Sequence, residues 1–183
     1  PKVKYMSHLL HLPVSDFARQ DVVRTLSSPF FNKAFLDLSS SEIEEIDDQS
    51  LSTLTVKGSA DWHWALKLGK LIERLSLPGI HANGYEKTLT DHVSFVEDLI
   101  DDLLVLPNDE EFSNPLVSWE EHQALFEFRR VLANLVLEET LLAHAYGPQM
   151  SSYPAFFKRL ERALENANLR RPKVSREAIT VCS

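Results

Sequence analysis

The chain has 183 residues, a hydrophobic fraction of 44%, few glycines and prolines, and a formal charge of −8. Those totals suit one domain with a proper core; they argue against disorder and against a domain that grips nucleic acid over most of its surface, which would be basic. Cys182 is the one cysteine, which excludes an internal disulfide framework or a cysteine-based zinc cluster and fits a reducing, cytoplasmic compartment. No run approaches the roughly 18 apolar residues of a membrane span, and residues 1–14 show no signal-peptide pattern.

Residues 1–14 read as a connection, a short apolar run that stops at Pro13. Ser15 is placed to cap a helix running to Leu26, with Phe17, Val22, Val23 and Leu26 available for burial. Ser27, Ser28 and Pro29 break it, and Pro29 can open a short second helix to Phe35. Over residues 37–60 the signals conflict: Ser41 and Glu44 have capping-box spacing, while residues 51–56 alternate like a strand, so the stretch reads as a short helix plus irregular chain. Residues 61–75 read as a helix with Trp62, Ala65, Leu66, Leu68 and Ile72 as its apolar positions, ended by Pro78 and Gly79.

Thr88 and Asp91 then open a helix to about Leu106. Its Leu89, Val93, Val96, Ile100 and Leu103 follow the four-and-three spacing of one helix face, with Asp91, Asp98, Asp101 and Asp102 mainly off it. Ser118 and Glu121 have the best capping-box spacing in the chain, and the helix they start runs to Tyr146, before Gly147 and Pro148. Between Leu125 and Leu142 that helix is apolar almost all round, the pattern of a central helix packed on several sides. A last helix over residues 152–167 sets Tyr153, Phe156, Phe157, Leu160, Leu164 and Ala167 on one face. After Arg170, Arg171 and Pro172, residues 173–183 turn to strand chemistry through Val174, Ile179 and Val181. A lone strand has no partner in a helical domain. The expected fold is therefore all-α: an irregular helical bundle around a long central helix. One domain covers 1–183, with 1–14 and 173–183 as connections whose short strands belong to the sheet of a larger parent protein.

Few constellations carry chemistry. Among the seven histidines, His8 and His11 have ligand-like spacing, and His92, His122 and His144 fall on helices. A bundle metal site shows Glu-x-x-His or His-x-x-x-His/Glu pairs on facing helices, and none has that register here. No metal ligand is assigned; an independent helical metalloprotein using His92, His122 and His144 is the alternative reading. Gly69 and Lys70 lack the rest of a phosphate-binding loop and fall mid-helix. Cys182 has no base beside it, and no serine sits in a nucleophile elbow. No catalytic residue or cofactor is assigned. Trp62 and Trp64 are expected on different sides of a helix, one in the core and one at a domain contact, which leaves a protein-interaction module as a further alternative. The patch with binding physics is residues 158–176, where Lys158, Arg159, Arg162, Arg170, Arg171, Lys173 and Arg176 outnumber Glu161 and Glu165. Such side chains pair with phosphates without reading sequence.

The two ends together carry a resemblance. Residues 3–31 (VKYMSHLLHLPVSDFARQDVVRTLSSPFF) are similar to the segment after motif IV in UvrD-like helicases, where an Ile-Pro-Val phrase leads into the helices of an insertion within the second motor domain. Leu12-Pro13-Val14 stands in that place. Val22-Val23-Arg24-Thr25-Leu26, followed by Ser28-Pro29-Phe30-Phe31, resembles a pattern of AddB-type subunits, and residues 61–66 (DWHWAL) resemble the phrase that follows it. Residues 174–183 resemble the strand leading back towards motif V. The resemblance implies the inserted helical subdomain of an AddB-like helicase–exonuclease subunit in double-strand break repair. Such a domain is non-catalytic, braces motor and nuclease domains, and contacts DNA phosphates, here through the basic C-terminal segment. The implied partners are the other domains of the parent chain, DNA and an AddA-like subunit, with no membrane contact. ATP and Mg²⁺ are implied for the parent protein alone, because the motor and nuclease motifs are not in this chain. Sequencing the flanking gene tests this. A Walker A motif or its remnant upstream, with motif V directly after Ser183 and a nuclease motif beyond, is expected; a native start near Pro1 and a stop at Ser183 would contradict it.

Overall fold

Helices build nearly all of the described chain in a computed structural model that covers residues 2–76, 86–105 and 115–169. They are α1 (Lys2–His11), α2 (Arg19–Leu26), α3 (Lys33–Leu36), α4 (Ser40–Ser52), α5 (Leu68–Leu75), α6 (Leu89–Leu103), α7 (Pro115–Tyr146) and α8 (Tyr153–Leu169). A 3₁₀ turn (Ser59–Trp62) precedes α5. Two short strands, β1 (Lys87–Thr88) and β2 (Met150–Ser151), pair antiparallel with Lys87 opposite Ser151. The all-α class holds. α1, α6, α7 and α8 pack on one another as the centre, and α2 to α5 form a layer beside it.

The first helix corrects the reading of residues 1–14 as a connection. Tyr5, Met6, Leu9 and Leu10 recur at helical spacing and are buried, with Leu12 behind them. The Tyr5 hydroxyl donates to the Leu103 carbonyl at 3.3 Å, and Tyr153 donates to the Leu10 carbonyl at 2.9 Å. Burial of both phenols pushes their ionisation well above the usual tyrosine range. His8 and His11 interrupt the apolar run in sequence but lie towards the open side of α1.

Several boundaries move for local reasons. Ser15 does not cap α2; its hydroxyl donates to the Leu12 carbonyl, and Asp16 and Phe17 take left-handed φ of 54° and 53°. That turn buries Phe17 and delays the helix to Arg19. Pro29 opens no helix: Phe30 to Asn32 run along the end of α6, with Val105 N–H donating to the Phe30 carbonyl and Asn32 N–H to the Leu103 carbonyl, both at 2.9 Å. The capping box of α4 is Ser39 with Glu42, not Ser41 with Glu44. Lys67 beside it, at 2.6 Å, together with the Ser39 hydrogen bonds, holds the Glu42 carboxyl down at about 2. Residues 51–56 finish α4 and turn through Leu54 at φ 54° rather than forming a strand. Of residues 61–75 only α5 is α-helical, and Leu66 points into solvent at 87% exposure. The Thr88–Asp91 capping box and the buried stripe of α6 stand as read, as does the buried aromatic face of α8. α7 starts at Pro115, a favoured residue at a first helical position, so Ser118 lies inside the helix rather than at its cap. The terminal strand over 173–183 lies outside the described residues.

α7 is not covered on every side. Leu125, Phe128, Val131, Leu132 and Leu135 are buried, but Phe126 (62%), Leu137 (57%) and Leu141 (66%) are exposed. At about 100° per residue these three fall within roughly 60° of one another, opposite Phe128 and Leu135. Among its buried residues is Glu139. One carboxylate oxygen accepts Leu89 N–H at 3.0 Å; the other accepts Thr90 N–H at 2.9 Å and the Thr90 hydroxyl at 3.0 Å. These are first-turn donors of α6, which have no partner within their own helix, and the positive end of the helix dipole favours the charge. His92, one turn further along α6, is buried; its Nε2–H donates to the Ser151 carbonyl at 2.8 Å and its ring stacks on Phe156 at 4.9 Å.

Glu139→Ala leaves those donors without an acceptor and is expected to cost about 2–4 kcal/mol in urea unfolding, whereas Leu137→Ala on the open side changes stability by less than about 0.5 kcal/mol. Equal effects from the two substitutions would show that Glu139 does not anchor α6. Burial, the largest cause, and Lys87 lower the His92 pKa despite the Ser151 carbonyl, Asp91 and Glu139; burial also leads the lowering at His8. With both below the ordinary 6.5 in the folded chain, the unfolded chain takes up protons first on acidification. The stability they confer is full above about pH 6.5 and is lost as the pH falls towards the folded values. His92→Phe is expected to flatten that fall between about pH 6.5 and 5.

Candidate nucleic-acid interface

The basic residues expected on the last helix stand off its buried face. Lys158 and Arg162 are exposed, and Arg159 is half-buried. Arg170, Arg171, Lys173 and Arg176 lie outside the described residues. α7 and α8 leave between them a groove of about 570 Å³. Its polar walls are Arg130, Asn134 and Glu138 of α7 facing Arg159, Arg162 and Asn166 of α8. Residues four apart stack along one side of a helix, as do residues three apart. Arg130, Asn134 and Glu138 therefore form a stripe next to buried Val131 and Leu135, and the α8 triplet forms the opposing stripe. Lys158 lies off this groove.

The charges are partly met. Arg159 pairs with Glu138 at 3.0 Å, and Arg130 with Glu127 at 2.6 Å. Arg162 has no ion pair among the described residues. Arg129, next to the groove in sequence, instead clamps Glu97 and Asp101 of α6 at 3.1 and 2.8 Å. Exposed pairs of this kind contribute about 0–1 kcal/mol each, so a phosphate oxygen can displace a carboxylate from an arginine at little cost. Asn134 and Asn166 add neutral donors. Arg130 and Asn134 were not among the sequence candidates. Their signal is the four-residue polar step Arg130, Asn134, Glu138 within residues 125–142, a stretch that also carries Glu127, Arg129 and Glu139.

The other candidate centres do not assemble. His122 and His144 are 22 residues apart on one helix, about 33 Å at 1.5 Å per residue, and His92 is enclosed by Phe156 and Tyr153. No group of three metal-ligating side chains occurs among the described residues. Gly69 and Lys70 lie inside α5, where Lys70 donates to the Phe35 carbonyl at 2.8 Å and covers the Phe35 ring; they form no phosphate loop and do not fit ATP. Trp62 and Trp64 do not diverge from a helix as expected. They flank a turn with ring centroids 5.8 Å apart. Trp62 is buried and donates to the Phe17 carbonyl at 2.9 Å; Trp64, half-buried, donates to the Thr55 hydroxyl at 3.2 Å. Both indole N–H groups are thus engaged within the chain. No helix among the described residues is long and apolar enough to cross a membrane. Comparison with known proteins finds no matching family, no matching curated relative and no matching solved structure.

Proposed function

We propose that the chain is a non-catalytic helical accessory domain of a larger DNA repair helicase–nuclease, as its AddB-like resemblance implies. It braces neighbouring domains of the parent chain through α7 and contacts nucleic-acid phosphates in the groove between α7 and α8. The observation that carries this reading is the second apolar face of α7. Phe126, Leu137 and Leu141 lie on one side of the helix over about 22 Å of its length. Single exposed apolar residues are ordinary, but several large ones on one side of a helix mark a side suited to packing on another protein surface. Arg162, with Arg130 and Arg159 beside it, supports phosphate contact. Under this reading ATP and Mg²⁺ serve the motor of the parent protein, an AddA-like subunit is its partner, and the assembly is cytoplasmic.

Leu137→Asp with Leu141→Asp is expected to leave the folding stability within about 0.5–1 kcal/mol while weakening the chain's binding to the rest of the parent protein in a calorimetric titration. Arg159→Glu with Arg162→Glu is expected to weaken duplex-oligonucleotide binding and flatten its salt dependence. Unchanged association in the first variant would remove the bracing role, and unchanged oligonucleotide affinity in the second would remove the phosphate contact.

A further inference from the structure

A separate cleft of about 340 Å³ opens between α1, α2 and the turn that follows α2. Tyr5 and Phe30, with ring centroids 6.2 Å apart, give it an apolar floor. Lys4 and Arg24 stand exposed at its mouth, and neither has an ion pair among the described residues. His8 lines the same wall, and its Nε2 is buried without a hydrogen-bond partner. The Ser28 hydroxyl oxygen accepts Phe30 N–H at 3.3 Å, which leaves its proton available to donate. The charged groups felt at His8 are Arg24 and Asp21 of α2 and Lys4 and His11 of α1. Asp21, the one anion of that set, is held by His11 at 3.4 Å.

Two cations without counter-charges beside a buried, unmet imidazole nitrogen make an arrangement that an entering anion would complete. A buried polar atom without a partner is destabilising, and an acceptor brought to it relieves that cost. A carboxylate offers two oxygens; a phosphate monoester offers three strong acceptors and close to two negative charges, which matches an ammonium, a guanidinium, an imidazole and a hydroxyl converging on one volume. The cleft lies at the small end of the ~300–1,000 Å³ range of ligand pockets, so it suits a compact molecule and not a duplex.

We propose that this cleft binds a small phosphate monoester, with Lys4, Arg24, the Nε2–H of His8 and the Ser28 hydroxyl on the phosphate and an apolar body against Tyr5 and Phe30. The bound dianion offsets the two cations and accepts a hydrogen bond from the His8 Nε2–H, which favours the protonated ring, so binding is accompanied by proton uptake from solvent at His8.

Phenyl phosphate titrated into the whole chain, with the His8 ring followed by NMR, tests this. A saturable shift of the His8 resonance is expected, together with an upward move of its titration midpoint. Lys4→Gln with Arg24→Gln changes two exposed side chains, leaves the fold intact, and is expected to weaken binding about tenfold or more. Absence of a saturable shift, or an unchanged affinity in the double variant, would overturn the site. Benzoate binding as tightly as phenyl phosphate would overturn the phosphate assignment. A single-stranded oligonucleotide that shifts His8 where phenyl phosphate does not would overturn the small-ligand assignment in favour of a nucleic-acid surface.

Discussion

The Glu139 carboxylate, buried at the first turn of α6, is the constraint that the arrangement of the central helices depends on. Removing an ionised carboxylate from water costs several kcal/mol. Here the cost is offset by two backbone N–H groups and a hydroxyl that lack partners within their own helix. The bond pins the middle of α7 to the start of α6. With that point held, the β1–β2 pair and the His92 contact to Ser151 tie the start of α8 to the same end of α6. α8 then lies back along α7, and Tyr153 and Phe156 pack around His92. The position of the α7–α8 groove follows from this chain of contacts.

The central helix is consequently asymmetric. Its buried face completes the core with α1, α6 and α8, and its opposite face presents Phe126, Leu137 and Leu141 to solvent. Groove and open face are neighbouring parts of one helix: Asn134 and Glu138 run between the apolar residues that are covered and those that are not, and Arg130 stands on the open side with Phe126 and Leu137. A helix anchored by Glu139 fixes the groove and the open face relative to each other.

Much of the helical framework was legible from periodicity and caps. Thr88 and Asp91, the α6 stripe, and the aromatic face of α8 are local patterns that the tertiary structure preserves. α1 was hidden because two histidines break the apolar run, although Tyr5, Met6, Leu9 and Leu10 share a helical face. Ser39 and Ser41 both have a glutamate three residues on, and the choice between them is made by Lys67, distant in sequence, pairing with Glu42. In α7 the composition indicated an apolar helix but not which faces meet a partner, since periodicity is silent once most positions are apolar. Glu139 carries no local signature of its role, because a charge is identified as a cap only when the helix it caps is known. Of the candidate site, Arg159 and Arg162 were visible as local charge, whereas Arg130 and Asn134 join them only through the packing of α7 against α8.

The measurement that tests the central claim most directly is hydroxyl-radical footprinting of α7 in the chain alone and in the full parent protein. The account predicts strong labelling of Phe126, Leu137 and Leu141 in the chain alone and clear protection of the same side chains in the proposed parent, with Phe128 and Leu132 protected in both. Equal labelling of the three in both states would contradict a bracing role for α7.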